Sequence, residues 1–437
     1  MSTTAIVLAA GLGTRMKSAL PKTLHKIAGR PMLNHLLASC AEVFDRIVVV
    51  LGPDMDDVAD AASPHAVVVQ RDRLGTAHAA LQAQALFGDG EVAVLYADNP
   101  LIKPISLQRL LDRRRAGDAG LALLAMRPAD PARYGRVVTD GGYVSRIVEY
   151  ADASPAEREI GLCNAGVLCA DAAHMRHWLQ QVRNDNSKGE FYLTDLVELA
   201  NASGQRVAAV EAPFDELRGV NSRVELAEAE AAVQADLRRA AMENGATLVL
   251  PETVFLSWDT ALGRDVTVEP NVVFGPGVTV ADEVEIRAFS HLEQCHVSRG
   301  AIIGPYARLR PGTRVGVAAH VGNFVELKAT DLGDGAKANH LSYLGDARIG
   351  PGTNIGAGTI TCNYDGFAKH RTEIGAGVFV GTHSTLVAPV KLADGSFTAA
   401  GSVITQDVAQ DTMAFGRAKQ VNKHGLAAQF RASKRKS

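Results

Sequence analysis

The chain has 437 residues, well past the ~100–200 usual for one domain, which predicts at least two domains. Its net charge is −3, from 45 basic and 48 acidic side chains, and that balance excludes a polybasic nucleic-acid or membrane-surface binder. A composition of 47% hydrophobic and 21% charged residues excludes a disordered or fibrous chain. Aromatic residues are only 5%, and the 41 glycines are uneven, with 17 in residues 1–244 and 24 in 245–437. The second part therefore turns often and has a core poor in rings.

Five scattered cysteines (Cys40, Cys163, Cys169, Cys295 and Cys362) form no C-x-x-C pair. They predict reduced thiols in a cytoplasmic protein, with neither a disulfide scaffold nor a zinc site. The opening MSTTAIVLAAGLG reads as a strand entering a glycine loop rather than a signal peptide. No run of ~18 apolar residues predicts a membrane span.

Residues 4–240 alternate strand-like and helix-like segments. Strands are predicted at Ala5–Ala9, Arg46–Leu51, Ala66–Val69, Val92–Tyr96, Gly120–Met126 and Arg206–Val210. They are short apolar runs rich in β-branched residues, as buried parallel strands are. Helical patterns lie between them at Pro31–Val43, Thr76–Phe87 and Ser106–Ala116. The alternation predicts a doubly wound α/β sheet. Ser222–Asn244 predicts one long helix, with Ser222 and Glu225 as a capping box and Gly245 as its stop. The expected division is a domain over 1–221, a linker helix over 222–245 and a second domain over 246–437.

Beyond the helix the period becomes six. Leu262, Val268, Phe274, Val280, Ile286 and Leu292 form one run, and Ile303, Leu309, Val315, Val321 and Leu327 a second. Ile349 and Ile355 lead to Ile374, Val380, Leu386, Leu392, Thr398 and Ile404. A fixed short period predicts a solenoid in which each unit is one flat strand plus a turn, and three units close a triangular coil. One inward side chain per unit leaves little room for rings. The period breaks at 328–340, with Lys328, Lys337, Asn339 and His340, and at 361–372, with Asn363, Tyr364 and Lys369. Such insertions predict a binding face.

The first strand enters Leu8-Ala9-Ala10-Gly11-Leu12-Gly13-Thr14-Arg15-Met16, with Pro21-Lys22 downstream. Glycine loops after a strand cradle phosphate with backbone N–H groups. This loop lacks both the third glycine of the dinucleotide fingerprint and the G-K-[ST] of the P-loop. Asp98 follows a predicted strand at its carboxyl end, where α/β sheets bind ligands.

The full string L-A-A-G-x-G-T-R-M with P-K resembles the sugar-phosphate nucleotidyltransferases over about residues 4–221. The resemblance implies that Leu8, Ala9, Ala10 and Gly11 cradle the nucleotide, and that Arg15 and Lys22 bind the triphosphate and act in catalysis. It further implies that Asp98 and Asn221 hold Mg²⁺. Tyr96-Ala97-Asp98 has Ala97 where that family has glycine. Gln70 with Leu74-Gly75-Thr76-Ala77-His78 resembles the segment of the uridylyltransferases that reads uracil. Gly135, Glu149 and Asn164 resemble one that reads N-acetylglucosamine, with Ala151 and Ala165 as departures beside it.

The six-residue period resembles the left-handed β-helix of hexapeptide-repeat acyltransferases; the hand comes from the resemblance, not the spacing. The whole arrangement resembles the bifunctional enzymes of bacterial wall-precursor synthesis, which join a uridylyltransferase to an N-acetyltransferase. Matching strings include Arg308-Leu309-Arg310-Pro311-Gly312, His320 to Lys328, His340 to Asp346, and Gly356 to Gly366. Acetyl transfer from a thioester to an amine needs a base, and histidine is the usual one. Of the histidines available, the resemblance selects His340. It implies that Arg310, Lys328 and Lys369 bind a sugar phosphate and that Tyr343 and Asn354 position the sugar. Ala357, Asn363, Tyr364, Thr382, Ala400 and Arg417 would line an acetyl-CoA groove. His291, His296 and His383 read as polar positions of the coil. The implied substrates are glucosamine 1-phosphate, acetyl-CoA, N-acetylglucosamine 1-phosphate and UTP, and the implied assembly is a homotrimer. The basic tail around Lys434, Arg435 and Lys436 reads as a solvated terminus, with a contribution to a neighbouring subunit implied by the resemblance.

Overall fold

A computed structural model of the protein describes residues 2–11, 13–131, 134–186 and 188–435. Leu12 of the glycine loop and Lys436 of the basic tail lie outside the described residues. The chain forms two compact units, residues 1–236 and 237–437. The division falls inside the long helix Arg223–Glu243.

Among the described residues of the first unit, nine strands form one sheet. They are β1 Thr3–Leu8, β2 Arg46–Leu51, β3 Ala66–Val69, β4 Glu91–Tyr96, β5 Leu121–Met126, β6 Arg136–Asp140, β7 Tyr143–Val148, β8 Cys163–Asp171 and β9 Val207–Glu211. The order is β9-β5-β8-β4-β1-β2-β3, with β6 and β7 a hairpin joined at β8. The six predicted strands, β1 to β5 and β9, are present and run parallel to one another, whereas β8, which was not predicted, runs antiparallel to both β4 and β5 and makes the sheet mixed. Alternate residues of β1 feed two cores. Ala5 and Val7 pack with Leu33, Leu36 and Leu107 on one face, and Ile6 and Leu8 with Phe87, Met175 and Trp178 on the other. Helices on both faces leave the strand ends as the open edge of the layer.

The linker helix starts differently from its predicted box. Ser222 Oγ accepts from Glu225 N–H, but the Glu225 carboxylate accepts from Asn221 N–H at 2.8 Å, one residue upstream. It therefore fixes the backbone of Asn221. At the other end Gly245, at φ +101°, lets Ala246 N–H reach back to Ala241 O at 3.0 Å, which satisfies a terminal carbonyl.

The second unit is a left-handed parallel β-helix of three sheets. Its strands are two to four residues long, and each sheet pairs every third strand in parallel, except at the two ends of one sheet, where the step is two. One column reads Val268, Ile286, Ile303, Val321, Ala338, Ile355 and Val380. Nearly all the six-residue positions are buried, in one continuous aliphatic column. The break expected at 328–340 is not an insertion. Leu332 and Ala338 occupy inward positions there, and the coil keeps its 17-residue repeat from Val321 to Ala338. The break at 361–372 is genuine: Ile355 pairs with Val380, 25 residues on, and the extra chain forms an outward loop bridged between Tyr364 and Lys369.

Candidate active sites

In the first unit the loop after β1 closes over a charged cluster. Gly13 has φ +63°, and a Cβ there would stand 2.5 Å from Lys22 Cβ, so only glycine lets the loop pack on this lysine. Two short 3₁₀ turns, Thr14–Met16 and Lys22–Leu24, set Arg15 and Lys22 beside each other. The Lys22 ammonium lies 2.6 Å from Asp98 Oδ2 and 2.9 Å from Asn221 Oδ1, and Arg15 Nη2 donates to the same Asn221 oxygen at 2.9 Å. Asp98 follows β4, and its carbonyl accepts from Val220 N–H at 2.8 Å, tying the strand end to the segment carrying Asn221. Two oxygens thus face one cationic point at the carboxyl edge of the sheet.

A cavity opens from this point. It is lined by Leu8, Ala9, Ala10, Gly11, Lys22, Gln70, Gly75, Thr76, Tyr96, Ala97 and Asp98. Arg73 and Glu190 line it as well, and neither stands out in the sequence. Arg73 Nε donates to Ala10 O at 2.8 Å. A second cavity shares Thr76, Tyr96, Asp98 and Glu190 and adds Glu149, Ala151, Lys188 and Tyr192. Burial pushes the Glu149 carboxyl above its usual range, with Lys188 opposing the shift. Gly135 lies against Glu149, and its carbonyl accepts from Asn164 N–H at 2.8 Å, so Gly135, Glu149 and Asn164 come together. Burial also raises Asp195, to about 6, aided by the charges of Glu198 and Glu149.

In the second unit the side chains stack along successive coils. Asn323 and His340 hold the same position on neighbouring strands. Asn323 Oδ1 lies 2.7 Å from His340 Nδ1. An amide oxygen only accepts, so Nδ1 carries the hydrogen and Nε2 keeps a free lone pair on an exposed ring. Arg310 donates to Glu326 at 2.8 Å, and Lys328 sits 3.2 Å from both Asp346 oxygens. Lys369, from the outward loop, lies against Lys328 and is pushed below the usual lysine range, first by a hydrogen bond with the Lys328 side chain and then by the Lys328 charge. Gly345 leaves the room in which the Tyr343 hydroxyl and the Asn363 amide meet; a Cβ there would stand 2.5 and 2.7 Å from them. Asn354 lies one coil beyond His340's strand, opposite Lys337. Ala357, Thr382 and Ala400 stack at one corner: His383 N–H donates to Ala357 O, and Gly401 N–H to Thr382 O. Gly401 faces the Arg417 side chain, which extends the column. Tyr364 is exposed on the loop.

The MobA-like NTP transferase domain matches residues 5–186. The bifunctional protein GlmU of Gluconacetobacter diazotrophicus is 68% identical, covering 99% of this chain and 95% of that one. That of Acidiphilium cryptum is 64% identical over 100% of both chains. That of Granulibacter bethesdensis is 64% identical, covering 98% of this chain and 96% of its own.

The chain belongs to the bifunctional GlmU family. It is accordingly an enzyme with uridylyltransferase and acetyltransferase activities. Two residues in contact with this GlmU-family chain's cationic groups went unremarked in the sequence, Glu326 and Asp346. Their spacing of 16 and 18 residues from Arg310 and Lys328 was the available signal, because it is close to the 17 or 18 residues of one coil.

Proposed function

We propose that the second unit acetylates glucosamine 1-phosphate with acetyl-CoA, and that the first unit then joins the product to UTP, giving UDP-N-acetylglucosamine and pyrophosphate. Residues 1–221 carry the second step and 246–437 the first, with 222–245 as the linker. The observation that carries this reading is that each unit holds its own complete charged constellation.

In the acetyl step Arg310, Lys328 and Lys369 bind the sugar phosphate, and Tyr343 and Asn354 position the ring. The groove along Ala357, Asn363, Tyr364, Thr382, Ala400 and Arg417 takes acetyl-CoA. His340 Nε2 removes a proton from the glucosamine ammonium while Asn323 holds the ring in the tautomer that permits it. The freed amine attacks the thioester carbonyl, the C–S bond breaks, and coenzyme A leaves as the thiol.

In the uridylyl step Gln70, Gly75 and Thr76 hold the base, and Gly135, Glu149 and Asn164 hold the sugar. Arg15 and Lys22 bind the triphosphate and oppose the charge that develops on it. A phosphate oxygen of the sugar phosphate attacks the α-phosphorus in line, and the bond to the β-phosphate breaks. Asp98 Oδ2 and Asn221 Oδ1 are hard oxygen donors that already face a shared cation, the donor set that suits Mg²⁺. When bound there, Mg²⁺ neutralises phosphate charge.

Cyclic trimers and a cytoplasmic location complete the proposal. Phe289, Tyr306 and Phe324 stack at 4.9 and 5.1 Å between ring centroids, each about half exposed, and an exposed stripe of this kind supports self-association. Sedimentation should give three chains per particle. Among the described residues no helix is long and apolar enough to cross a membrane.

A coupled assay with glucosamine 1-phosphate, acetyl-CoA, UTP and Mg²⁺, following free thiol and pyrophosphate separately, tests the whole reading. Thiol should appear without UTP. Pyrophosphate should require either the first reaction or added N-acetylglucosamine 1-phosphate. Pyrophosphate release from glucosamine 1-phosphate alone at an equal rate would overturn the order.

A further inference from the structure

His78 lies in the helix Thr76–Gln82, and no step above uses it. Gln70, just after β3, is 3% exposed, and its amide nitrogen has two partners. One is Gly75 O at 3.0 Å, the other His78 Nδ1 at 3.0 Å. A backbone carbonyl only accepts, so the NH₂ side of the carboxamide faces Gly75, and the same NH₂ then faces His78. Nδ1 is therefore a bare lone pair and the ring hydrogen is on Nε2. Gln82 Nε2 also approaches His78 Nε2, at 3.3 Å, but that contact is exposed and longer, and Gln82 Nε2 has the His78 carbonyl at 3.1 Å. The buried pair sets the tautomer.

The surroundings hold this arrangement. The His78 ring packs 6.2 Å from the Phe191 ring. The Phe191 backbone donates to Leu74 O at 2.8 Å and accepts from Ala77 N–H at 3.0 Å. With both amide hydrogens engaged, Gln70 Oε1 accepts no hydrogen bond among the described residues, and it is not one of the sealed polar atoms without a partner. It opens on the cavity that Gln70 lines with Ala10, Gly75 and Thr76.

We infer that His78 is a positioning residue for nucleobase choice, locking the Gln70 carboxamide so that an acceptor faces the base. The inference rests on the uridylyl reading of this cavity. A ring N–H, as at N3 of uracil, donates to that oxygen. The same ring position in cytosine carries a lone pair and is repelled. Without His78 one lock remains, and the amide can turn over to present its NH₂, which suits cytosine.

The test is kcat/KM for UTP and for CTP, measured side by side with N-acetylglucosamine 1-phosphate and Mg²⁺. The ratio of the two does not depend on how much of a preparation is folded. The natural protein should favour UTP. His78→Ala and His78→Leu, the latter filling the space beside Phe191 without an acceptor, should lower the UTP/CTP ratio by about tenfold, the scale of one unsatisfied buried polar group. The change should fall mainly on KM. His78→Asn, whose side-chain oxygen can accept from Gln70, should restore most of the preference. An unchanged ratio in both His78→Ala and His78→Leu would overturn the inference. A natural protein with no preference for UTP would instead overturn the uridylyl reading beneath it.

Discussion

The two units reach a charged site by opposite routes. In the first, Lys22 meets Asp98 and Asn221 from 76 and 199 residues away. The site exists because separate turns converge at one edge of a sheet. In the second, Asn323 and His340 are 17 residues apart, Lys328 and Asp346 are 18, and Arg310 and Glu326 are 16. Asn323 and His340 hold the same place on successive coils, and the other two pairs join neighbouring coils slightly out of register, since Glu326 lies opposite Arg308 and Lys328 opposite Gly345. Convergence makes a site depend on the whole layer, whereas stacking makes it depend on the register of one coil over the next. The contrast extends to the cores. The sheet buries large residues such as Phe87 and Trp178 between layers, whereas the coil fills a narrow axis with aliphatic side chains.

The largest effects should come from cutting each site alone. His340→Ala should lower acetyl transfer by roughly 10²–10⁴-fold, the range for a lost general base, with pyrophosphate release from N-acetylglucosamine 1-phosphate unchanged. Asp98→Ala should do the reverse, costing the uridylyl step about 10²–10³-fold on the scale of a lost electrostatic contact at reacting phosphates. Loss of both activities from either change would refute the separation of the two sites.

Register is tested next. A Cβ at Gly322 would stand 2.0 Å from Asn339 O, on the coil that carries His340. Gly322→Ala should therefore push the two coils apart. It should cost about 1–3 kcal/mol of stability and reduce acetyl transfer, while the uridylyl rate holds. Asn323→Ala leaves the coil intact but frees the imidazole. A several-fold loss of acetyl transfer is expected, the worth of about one neutral hydrogen bond. Thermal melting at the natural temperature, with the rate still reduced, would distinguish tautomer control from unfolding.

The smallest effect concerns pH in the first unit. Burial lifts the Asp195 pKa to about 6, from about 3.9 in an unfolded chain. Across that window the folded form keeps a proton that the unfolded chain has lost, so stability falls as pH rises from about 4 to about 6. Asp195→Asn removes the penalty. The variant should gain on the natural protein at pH 7 and differ little at pH 4. Equal differences at the two values, by denaturant unfolding, would exclude Asp195 as the source.

Stacking is easier to read from a chain than convergence. One inward position in six marks the coil from Leu262 to Ile404 without further help, because nothing else accounts for such a spacing. The glycine loop and Asp98 were legible as a strand end, but their meeting with Asn221 came only from the family resemblance, since no local signal links residues so far apart. β8 was missed as a strand, because a short apolar run such as Val167-Leu168-Cys169-Ala170 is not told from a buried helical segment by its periodicity. The β6–β7 hairpin had a visible signal in Asp140-Gly141-Gly142-Tyr143, where both glycines have positive φ as its turn requires. Asn323 was visible as a residue but not as a partner of His340, and His78 only as part of the segment that the resemblance groups with Gln70. What makes each matter is which nitrogen of an imidazole carries the hydrogen, and spacing does not encode that.

The outward loop between Asn363 and His370 adds a whole detour to one coil, yet all three sheets resume their pairing beyond it. Each coil touches only its neighbours, so chain added at a corner alters no inward position. Scaffold and chemistry therefore occupy different alphabets of the same chain. One is a beat of six that fixes height along the axis, and the other is the rests between beats, where a lysine can be delivered to the substrate. Such a molecule can revise what it holds by lengthening a pause, with its architecture left as it was.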